Sequence, residues 1–259
     1  MITHRPRKRF GQHFLEDRSV VEQMVAAIRP QAGERFVEIG PGLGALTFPL
    51  LQRLDHLDVI EIDRDIIENL RAGYPAARLS IHAGDVLEFD FAAAGHGLRV
   101  VGNLPYNIST ALLFHLTDSA GAVRDAHFML QREVVERMSA LPGTPEYGRL
   151  SVMLQYHWSI ESLFDVSPSA FRPAPKVWSS VVRMIPHTLL PHIARDEVLF
   201  ADVVMRAFGQ RRKTLRNALR EKLDAPDFER LGIDPVARGE TLAVADFVRI
   251  ANLIESKRT

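Results

Sequence analysis

The sequence contains no cysteine. Disulfide bonds, thiolate nucleophiles and cysteine-ligated zinc or iron–sulfur sites are therefore excluded, and any chemistry must use oxygen, nitrogen or a bound cofactor. The ten histidines show no metal-ligand spacing such as HExxH, so we expect no metal site. The chain also lacks an apolar run near the ~20 residues that cross a bilayer, and its N-terminus lacks the apolar centre of a secretory signal. We expect a cytoplasmic protein without a membrane partner.

Net charge is absent too, because 32 Lys and Arg residues balance 32 Asp and Glu residues. A neutral chain argues weakly against a nucleic-acid partner, because basic surfaces bind phosphates more strongly through the release of counterions. The positive charge is nevertheless concentrated in two segments, "RPRKR" at residues 5–9 and "QRRKTLRNALREK" at residues 210–222. Two basic segments on a neutral chain are compatible with phosphate binding.

Strand-like and helix-like segments alternate through the first two thirds of the chain. The strand-like segments are "RFVEI", "LDVIEI", "RLSIHA", "LRVVGN" and "AHFMLQ", and short connections lead from most of them into helix-like segments. This alternation is typical of an α/β fold with a parallel sheet covered by helices on both faces. Such sheets bind ligands at the carboxyl ends of their strands.

The character of the sequence changes after residue 173. The stretch "RPAPKVWSSVVRMIP" is rich in proline and then in β-branched residues, and amphipathic helical patterns follow "HTLLPH". We therefore predict a boundary near residues 186–191 and two domains, an α/β domain over residues 1–188 and a small helical domain over residues 189–259.

A glycine-rich loop follows the first core strand in "VEIGPGLGALT". Gly40, Gly42 and Gly44 precede a predicted helix and allow the backbone to turn sharply and approach a ligand closely. The loop also fits the dinucleotide pattern G-x-G-x-x-G/A, so a nicotinamide or flavin site, an S-adenosylmethionine site and a purely structural turn all remain open at this point. The glycine spacing, with Glu38 two residues before Gly40, resembles the first motif of S-adenosylmethionine methyltransferases.

Acidic residues end the next two strands. Glu61 is placed to bind both hydroxyls of a ribose, and Asp85 in "HAGDVLEFD" can accept a hydrogen bond from an adenine amine. Either acid could instead cap a loop or helix. A glycine loop and two acids at three successive strand ends together favour a nucleoside cofactor.

The fourth strand ends in "GNLPY". This stretch resembles the [DN]-[LIP]-P-[FY] motif of methyltransferases that act on exocyclic amino groups of bases. An adenine N6 amine is a poor nucleophile, because its lone pair is delocalised into the ring. The Asn103 side-chain oxygen and the Leu104 carbonyl, held by Pro105, can accept both amine hydrogens and favour the pyramidal nitrogen of the transition state. Tyr106 offers a ring on which an extruded base can stack.

The whole chain resembles the ribosomal RNA adenine N6,N6-dimethyltransferase family, and most closely its bacterial small-subunit (16S) members. The resemblance rests on motifs spread over nearly all of the sequence, namely "KRFGQHFL", "VEIGPGLGALT", "VIEIDRD", "GDVLEFD", "GNLPYNIST", "MLQREVVERM", "FRPAPKVWSSVVRM" and "FGQRRKTLRNAL". It implies a Rossmann-like class I methyltransferase domain followed by a small helical RNA-binding domain. It also implies dimethylation of two adjacent adenosines in a hairpin near the 3′ end of 16S rRNA, with a precursor small ribosomal subunit as partner and a monomeric enzyme.

The family motifs carry residue roles onto this chain. The S-adenosylmethionine site would comprise His13, Leu15, Gly40, Gly42, Gly44, Glu61, Ile62, Asp85 and Asn103. The catalytic residues would be Asn103, Leu104, Tyr106 and Phe171, with Phe171 as the second aromatic face against the target base. Many family members have Asn where this chain has His13, so the contact there could run through the backbone.

Basic residues near both ends of the chain are candidates for RNA contacts. They are Arg7, Lys8, Arg9, Arg211, Arg212, Lys213 and Arg216. On a continuous helix, Arg212, Arg216 and Arg220 would share one face at i, i+4 steps, a stripe suited to an RNA backbone. A solvated charged face is the alternative explanation of this stripe.

Two other functions compete with the methyltransferase hypothesis. The first is a non-enzymatic RNA-binding assembly factor on the same fold, against which the intact Glu61, Asp85 and "NLPY" argue. The second is an NAD(P) oxidoreductase, which lacks an evident hydride-transfer acid and leaves "NLPY" unexplained.

Overall fold

The computed structural model describes residues 12–209 and 213–258 of the 259-residue chain. These residues form two compact units. The first unit comprises the described residues up to Val135 together with Ile160–Pro186, and the second comprises Glu136–Ser159 and the described residues from His187 onward. Five residues predicted to contact RNA lie outside the described residues: Arg7, Lys8, Arg9, Arg211 and Arg212.

The unit boundaries differ in one respect from those predicted. The change at residues 186/187 lies close to the predicted boundary at 188/189, but Glu136–Ser159 groups with the C-terminal helices. The reason is apolar burial. Tyr147, Val152 and Tyr156 are buried in the same core as residues of the C-terminal helices such as Phe200 and Phe247. A helix-forming sequence alone does not reveal which core its apolar face joins.

Nine strands lie in the described part of the chain. They are β1 (Phe14–Leu15), β2 (Phe36–Ile39), β3 (Leu57–Glu61), β4 (Leu79–Ala83), β5 (Leu98–Asn103), β6 (Val123–Gln131), β7 (Trp158–Val166), β8 (Phe171–Arg172) and β9 (Ser179–Pro186). Seven of them form one sheet in the order β4-β3-β2-β5-β6-β9-β7, and β1 pairs with β8 in a separate antiparallel sheet.

The main sheet is parallel from β4 to β6, and β9 runs antiparallel to β6. The chain builds outward from β2 to β4 and then returns to β5 on the other side of β2. The carboxyl ends of β2 and β5 therefore flank the point where the strand order reverses, which is where open α/β sheets bind ligands. The α/β fold with a mostly parallel sheet flanked by helices, predicted from the sequence, is confirmed.

Ten α-helices complete the described residues. They are α1 (Arg18–Ile28), α2 (Thr47–Leu51), α3 (Arg64–Gly73), α4 (Ser109–Asp118), α5 (Arg132–Ser139), α6 (Arg149–His157), α7 (Glu197–Phe208), α8 (Leu215–Ala218), α9 (Ala225–Leu231) and α10 (Val244–Ser256). Among these helices, none combines the length and the apolar composition that crossing a membrane requires.

Local sequence explains where the key elements begin and how deeply they are buried. All four residues of β2 are buried, as expected for a central parallel strand covered on both faces. Asp17 caps α1 by accepting hydrogen bonds from the backbone N–H groups of Ser19 and Val20, and Asp63 caps α3 by accepting one from Asp65. The cap of α3 lies two residues after the end of β3, so it fixes the backbone that follows Glu61.

The amino end of β5 is held by a buried ion cluster. The Arg99 guanidinium lies 2.7 Å from Glu34 and 3.0 Å from Asp125, and it also donates a 2.6 Å hydrogen bond to the Ile28 carbonyl. Removing one partner of such a cluster leaves a buried charge uncompensated, a loss of about 3 to 5 kcal/mol. The cluster anchors β5 at the end opposite Asn103, and so fixes where Asn103 emerges.

Candidate active site

A cavity of about 270 Å³ opens at the carboxyl ends of β2, β3 and β5. Its volume is close to the lower limit for small-molecule sites, about 300 Å³. It brings together every predicted catalytic and cofactor-binding residue except Gly44 and Phe171. The predicted residues that line it are His13, Leu15, Gly40, Gly42, Glu61, Ile62, Asp85, Asn103, Leu104 and Tyr106.

The glycine loop forms the floor of this cavity. Gly40 and Gly42 have φ values of 63° and 54°, in the left-handed region that glycine adopts most easily. A side-chain carbon at Gly42 would lie 3.1 Å from the Phe14 ring, so a larger residue there would have to displace that ring. Gly44 (φ 85°) closes the turn into α2, where its N–H donates to the Pro41 carbonyl, and it does not line the cavity.

Glu61 occupies the end of β3 with only 7% of its surface exposed. Its Oε1 accepts hydrogen bonds from the backbone N–H groups of Ile62 at 2.9 Å and Asp63 at 2.8 Å. Burial raises the pKa of Glu61, and the bonds from Asp63 and Ile62 partly counter this effect. The carboxylate is therefore held in one orientation at the cavity wall, as a ribose-binding group must be.

We predict that Glu61→Ala weakens binding of S-adenosylmethionine by about 2 kcal/mol, or roughly 30-fold. This is the size of one or two charge-assisted hydrogen bonds to a ribose. Isothermal calorimetry of the variant against wild type would measure the difference. Unchanged affinity would remove Glu61 from the cofactor site.

Glu38 is a second acid at this cavity, and its place in the glycine motif was its only predicted feature. It is 2% exposed, and the Thr47 hydroxyl donates a 2.7 Å hydrogen bond to its Oε2. Burial and the charge of Glu61 together raise the pKa of Glu38 to about 8, against the lowering effect of the hydrogen bond from Thr47. Two acids with raised pKa values thus face the same cavity.

Glu38 should make stability depend on pH. The folded protein keeps the Glu38 proton to about pH 8, whereas the unfolded chain loses it near the ordinary pKa of 4.5, so the free energy of unfolding falls as pH rises between these values. We predict that Glu38→Gln flattens this slope and stabilises the fold at pH 8 by a few kcal/mol relative to wild type. Urea unfolding at pH 5 and pH 8 would test this. Parallel pH profiles for the two proteins would contradict it.

Asp85 performs two tasks in the structure. Its Oδ1 accepts a 2.9 Å hydrogen bond from the Leu87 N–H and so caps the short 3-10 turn Val86–Glu88. The half-buried residue also lines the cavity. The sequence offered capping and cofactor binding as alternative roles for Asp85. In the structure Asp85 caps the turn and also has a position from which it could accept a hydrogen bond from an adenine amine.

Asn103 is the last residue of β5, and its side chain has a defined orientation. Its Nδ2 donates a 2.9 Å hydrogen bond to the backbone carbonyl of His13. The side-chain oxygen is thus the atom that faces away from this bond and can accept one from a ligand. The next residue, Leu104, is 1% exposed, and its N–H donates to the Met129 carbonyl on β6. The motif is thereby fixed to the sheet.

Tyr106 is held from two sides. Its hydroxyl lies 2.8 Å from the Ser179 hydroxyl, and its ring stacks on the His13 imidazole with a centroid distance of 5.6 Å and an interplanar angle of 28°. Burial raises the pKa of Tyr106, which keeps its hydroxyl neutral. Ser179 was not identified from the sequence, because a serine before a β-branched strand carries no signal of a partner 73 residues away.

The N-terminal strand β1 supplies one wall of the cavity. Phe14 and Leu15 pair with Arg172 and Phe171 of β8, and His13 Nδ1 lies 2.6 Å from the Pro173 carbonyl. The His13 backbone carbonyl orients Asn103, so in this structure His13 acts on the site through its backbone as well as through its ring.

Phe171, which the family resemblance predicts to be the second aromatic face against the target base, is buried in this structure. It is 4% exposed, belongs to the apolar core that includes Phe14 and Leu15, and does not line the cavity. Phe171 is buried because β1 pairs with β8. This pairing places Phe171 opposite Leu15, and both residues belong to the same apolar core. The ring that stacks on Tyr106 in this structure is that of His13 instead.

The basic segment of the second unit is less helical than predicted. Helix α8 covers only Leu215–Ala218, because the backbone at Leu219 leaves the helical region with φ −111° and ψ 14°. Arg220 therefore lies beyond the helix, and a continuous stripe with Arg216 does not form. Lys213, Arg216 and Arg220 are all exposed, while Leu215 and Leu219 are buried.

The residues that the structure describes contain no cluster of three or more His, Asp or Glu side chains able to hold a metal ion.

The mostly parallel sheet, with its glycine loop, strand-end acids and "NLPY" at one edge, is that of a class I methyltransferase. Solved structures share this fold. A dimethyladenosine transferase from Plasmodium falciparum superposes with a TM-score of 0.81 at 24% identity, covering 95% of this chain and 98% of that one. The 23S rRNA methyltransferase ErmE superposes with a TM-score of 0.75 at 20% identity, covering 93% and 99%.

Sequence comparison defines the family. The family model described as "Ribosomal RNA adenine dimethylase" matches residues 3–256. A protein of Aromatoleum aromaticum named "Ribosomal RNA small subunit methyltransferase A" is 62% identical over 99% of this chain and 97% of its own length. A protein of the same name from Thiobacillus denitrificans is 59% identical over 98% and 100%. The chain belongs to the ribosomal RNA adenine dimethylase family, which confirms the resemblance found in the sequence.

Proposed function

We propose that the protein transfers methyl groups from S-adenosylmethionine to N6 of two adjacent adenosines in a hairpin near the 3′ end of 16S rRNA. Its substrate would be a precursor small ribosomal subunit in the cytoplasm, and it would act as a monomer. The observation that carries this proposal is the orientation of Asn103, whose amide nitrogen is bound to His13 and whose oxygen is left to accept an amine hydrogen. The names of the relatives support the choice of substrate.

The residues of the cavity fit a methionine-linked nucleoside. The cofactor would supply an electrophilic methyl group on a positively charged sulfur. Gly40 and Gly42 allow the close backbone approach that the methionine part needs, Glu61 would bind the ribose hydroxyls, and Asp85 would accept from the adenine amine. Ile62, with 47% of its surface exposed, offers an apolar surface for the adenine ring. A cationic ligand beside the buried acids Glu38 and Glu61 would favour their charged forms.

The chain's own residues would activate the target amine. The Asn103 oxygen and the Leu104 carbonyl would accept the two N6 hydrogens and so draw electron density onto the nitrogen. The rigid link from Leu104 to β6 keeps these acceptors in place during the reaction. Tyr106 would stack on the extruded adenine, and the final proton would leave to water, because the methylated ammonium is acidic.

The exposed Lys213 and Arg216 would contact RNA phosphates, together with Arg7, Lys8, Arg9, Arg211 and Arg212. The support for this is their charge and, for Lys213 and Arg216, their exposure.

The test is mass spectrometry of rRNA after incubating unmethylated precursor subunits with the protein and labelled S-adenosylmethionine. We expect label on two adjacent adenosines near the 3′ end, with two methyl groups on each. The Asn103→Ala variant serves as the control. Binding of the particle without any label would instead identify a non-enzymatic assembly factor.

A further inference from the structure

The loop Pro173–Trp178 leads from β8 to β9 and ends in an exposed indole. Trp178 has 49% of its surface exposed, whereas Trp158 is 1% exposed. The loop sequence "PAPKVW" contains one cation, Lys176, and no acidic residue. Single exposed apolar residues are common on protein surfaces, so exposure alone assigns nothing to Trp178. The position of Trp178 relative to the active site is what suggests a role.

The strand register places Trp178 at the edge of the sheet that carries Asn103. Asn103 on β5 pairs with Met129 on β6, and Gln131, two residues further along β6, pairs with Ser179, the first residue of β9. Trp178 immediately precedes Ser179, and its carbonyl accepts a 3.0 Å hydrogen bond from the Arg132 N–H. Two strand spacings of about 4.8 Å put β9 roughly 10 Å across the sheet from β5, and Trp178 lies three residues, or roughly 10 Å, along the chain from Val181, the partner of Met129. The backbones of Asn103 and Trp178 are therefore roughly 14 Å apart, which is about four stacked nucleotide steps of 3.4 Å.

Both ends of the loop are bonded to residues that line the cavity. At its start, the Pro173 carbonyl lies 2.6 Å from His13 Nδ1, and just after its end, the Ser179 hydroxyl lies 2.8 Å from the Tyr106 hydroxyl. Ser179 is buried and Trp178 is exposed, as neighbouring residues of an extended chain alternate. The contacts that hold Tyr106 and His13 thus also hold the backbone at both ends of the loop that carries Trp178.

Three cations belong to the loop or to the residues next to its backbone contacts. Lys176 in the loop and the side chains of Arg132 and Arg172 are exposed. Arg132 lies 3.6 Å from Asp165 and Arg172 lies 3.2 Å from Glu16, so these two arginines are partly neutralised, while Lys176 adds positive charge. A flat aromatic surface beside cations is the combination that binds unpaired nucleotides.

We propose that Trp178 is a stacking platform for an unpaired nucleotide within about four positions of the target adenosine. This inference rests on the proposed function, because it takes RNA as the ligand of the active site. Tyr106 would hold the extruded base, and Trp178 would hold a neighbouring base of the same strand. The platform would thereby position the strand so that the correct adenosine enters the cavity.

Intrinsic fluorescence tests the proposal, because the two tryptophans differ so strongly in exposure. We expect a hairpin RNA with the 3′-terminal 16S sequence to quench the Trp178 emission of wild type, and to leave the emission of Trp178→Phe, which reports Trp158 alone, nearly unchanged. Trp178→Ala should bind this RNA about tenfold more weakly, as loss of one stacked base implies, and Trp178→Phe should retain most of the affinity. Affinity for S-adenosylmethionine should be unchanged in both variants.

Ile185→Ala is the matched control, because Ile185 is 42% exposed and lies near the other end of β9. It should bind RNA as wild type does. Wild-type RNA affinity in Trp178→Ala, with no RNA-dependent quenching in wild type, would overturn the platform. A wild-type protein that transfers no methyl group, but whose Trp178 is quenched by the RNA, would instead refute the proposed activity and support the RNA contact.

Discussion

Asn103→Ala should lower kcat for methyl transfer by about 100-fold or more. The Asn103 oxygen would accept a hydrogen bond that strengthens as N6 becomes pyramidal, so its full value appears only in the transition state. Deletion of a single preorganised electrostatic group at an oxyanion site has an effect of this size. The measurement is single-turnover methylation of precursor subunits at saturating cofactor.

Two further variants separate chemistry from positioning. Tyr106→Phe should retain most activity, because it keeps the stacking ring and loses only the bond to Ser179. Asn103→Asp keeps the side-chain oxygens but loses the amide N–H that binds the His13 carbonyl, so it should also be impaired. An Asn103→Ala enzyme with near wild-type kcat would show that "NLPY" is not the catalytic centre.

Gly102→Ala should disrupt the site through the backbone. A side-chain carbon at Gly102 would lie 2.5 Å from the Ile39 carbonyl oxygen and 3.1 Å from Leu104, both of them held in or next to the central strands. The Ile39 oxygen belongs to β2, which pairs with Gly102, so relief requires β2 and β5 to move apart. We expect a loss of about 2 to 4 kcal/mol in the free energy of unfolding, in the range of overpacked core substitutions and above.

Gly121→Ala is the control for this substitution, because a side-chain carbon there meets nothing within 4 Å. It should unfold as wild type does. Urea unfolding measures both variants, and calorimetry with S-adenosylmethionine shows whether the surviving Gly102→Ala fold still binds the cofactor. Equal stability of the two variants would contradict the prediction. It would mean that β2 and β5 can move apart at Gly102 with little loss of free energy.

Features encoded within a few consecutive residues could be predicted from the sequence. Three features lie at the carboxyl ends of strands with a clear apolar pattern: the glycine loop at residues 40–44, Glu61 and Asn103. Parallel strands bring their carboxyl ends to one edge of the sheet. The predicted meeting of these residues follows from topology alone, without knowledge of any side-chain contact.

The missed features depend on contacts between distant residues. Two missed hydrogen bonds connect residues more than 70 positions apart: the bond between Ser179 and Tyr106 and the bond from Asn103 to His13. The burial of Phe171 depends on the equally distant pairing of β1 with β8. The grouping of Glu136–Ser159 with the C-terminal helices is of the same kind. Local patterns specify which residues are apolar, but they do not specify which core receives them.

The pairing of β1 with β8 has a consequence for synthesis of the protein. Phe14 and Leu15 leave the ribosome early, but their partners Phe171 and Arg172 follow more than 150 residues later. Since chains are made at about 5 to 20 residues per second, β1 waits for its partner for at least several seconds. Only then can His13 take its place beside Pro173 and orient Asn103. A nascent chain that carries the glycine loop, both acids and "NLPY" therefore remains catalytically incomplete until β8 has emerged.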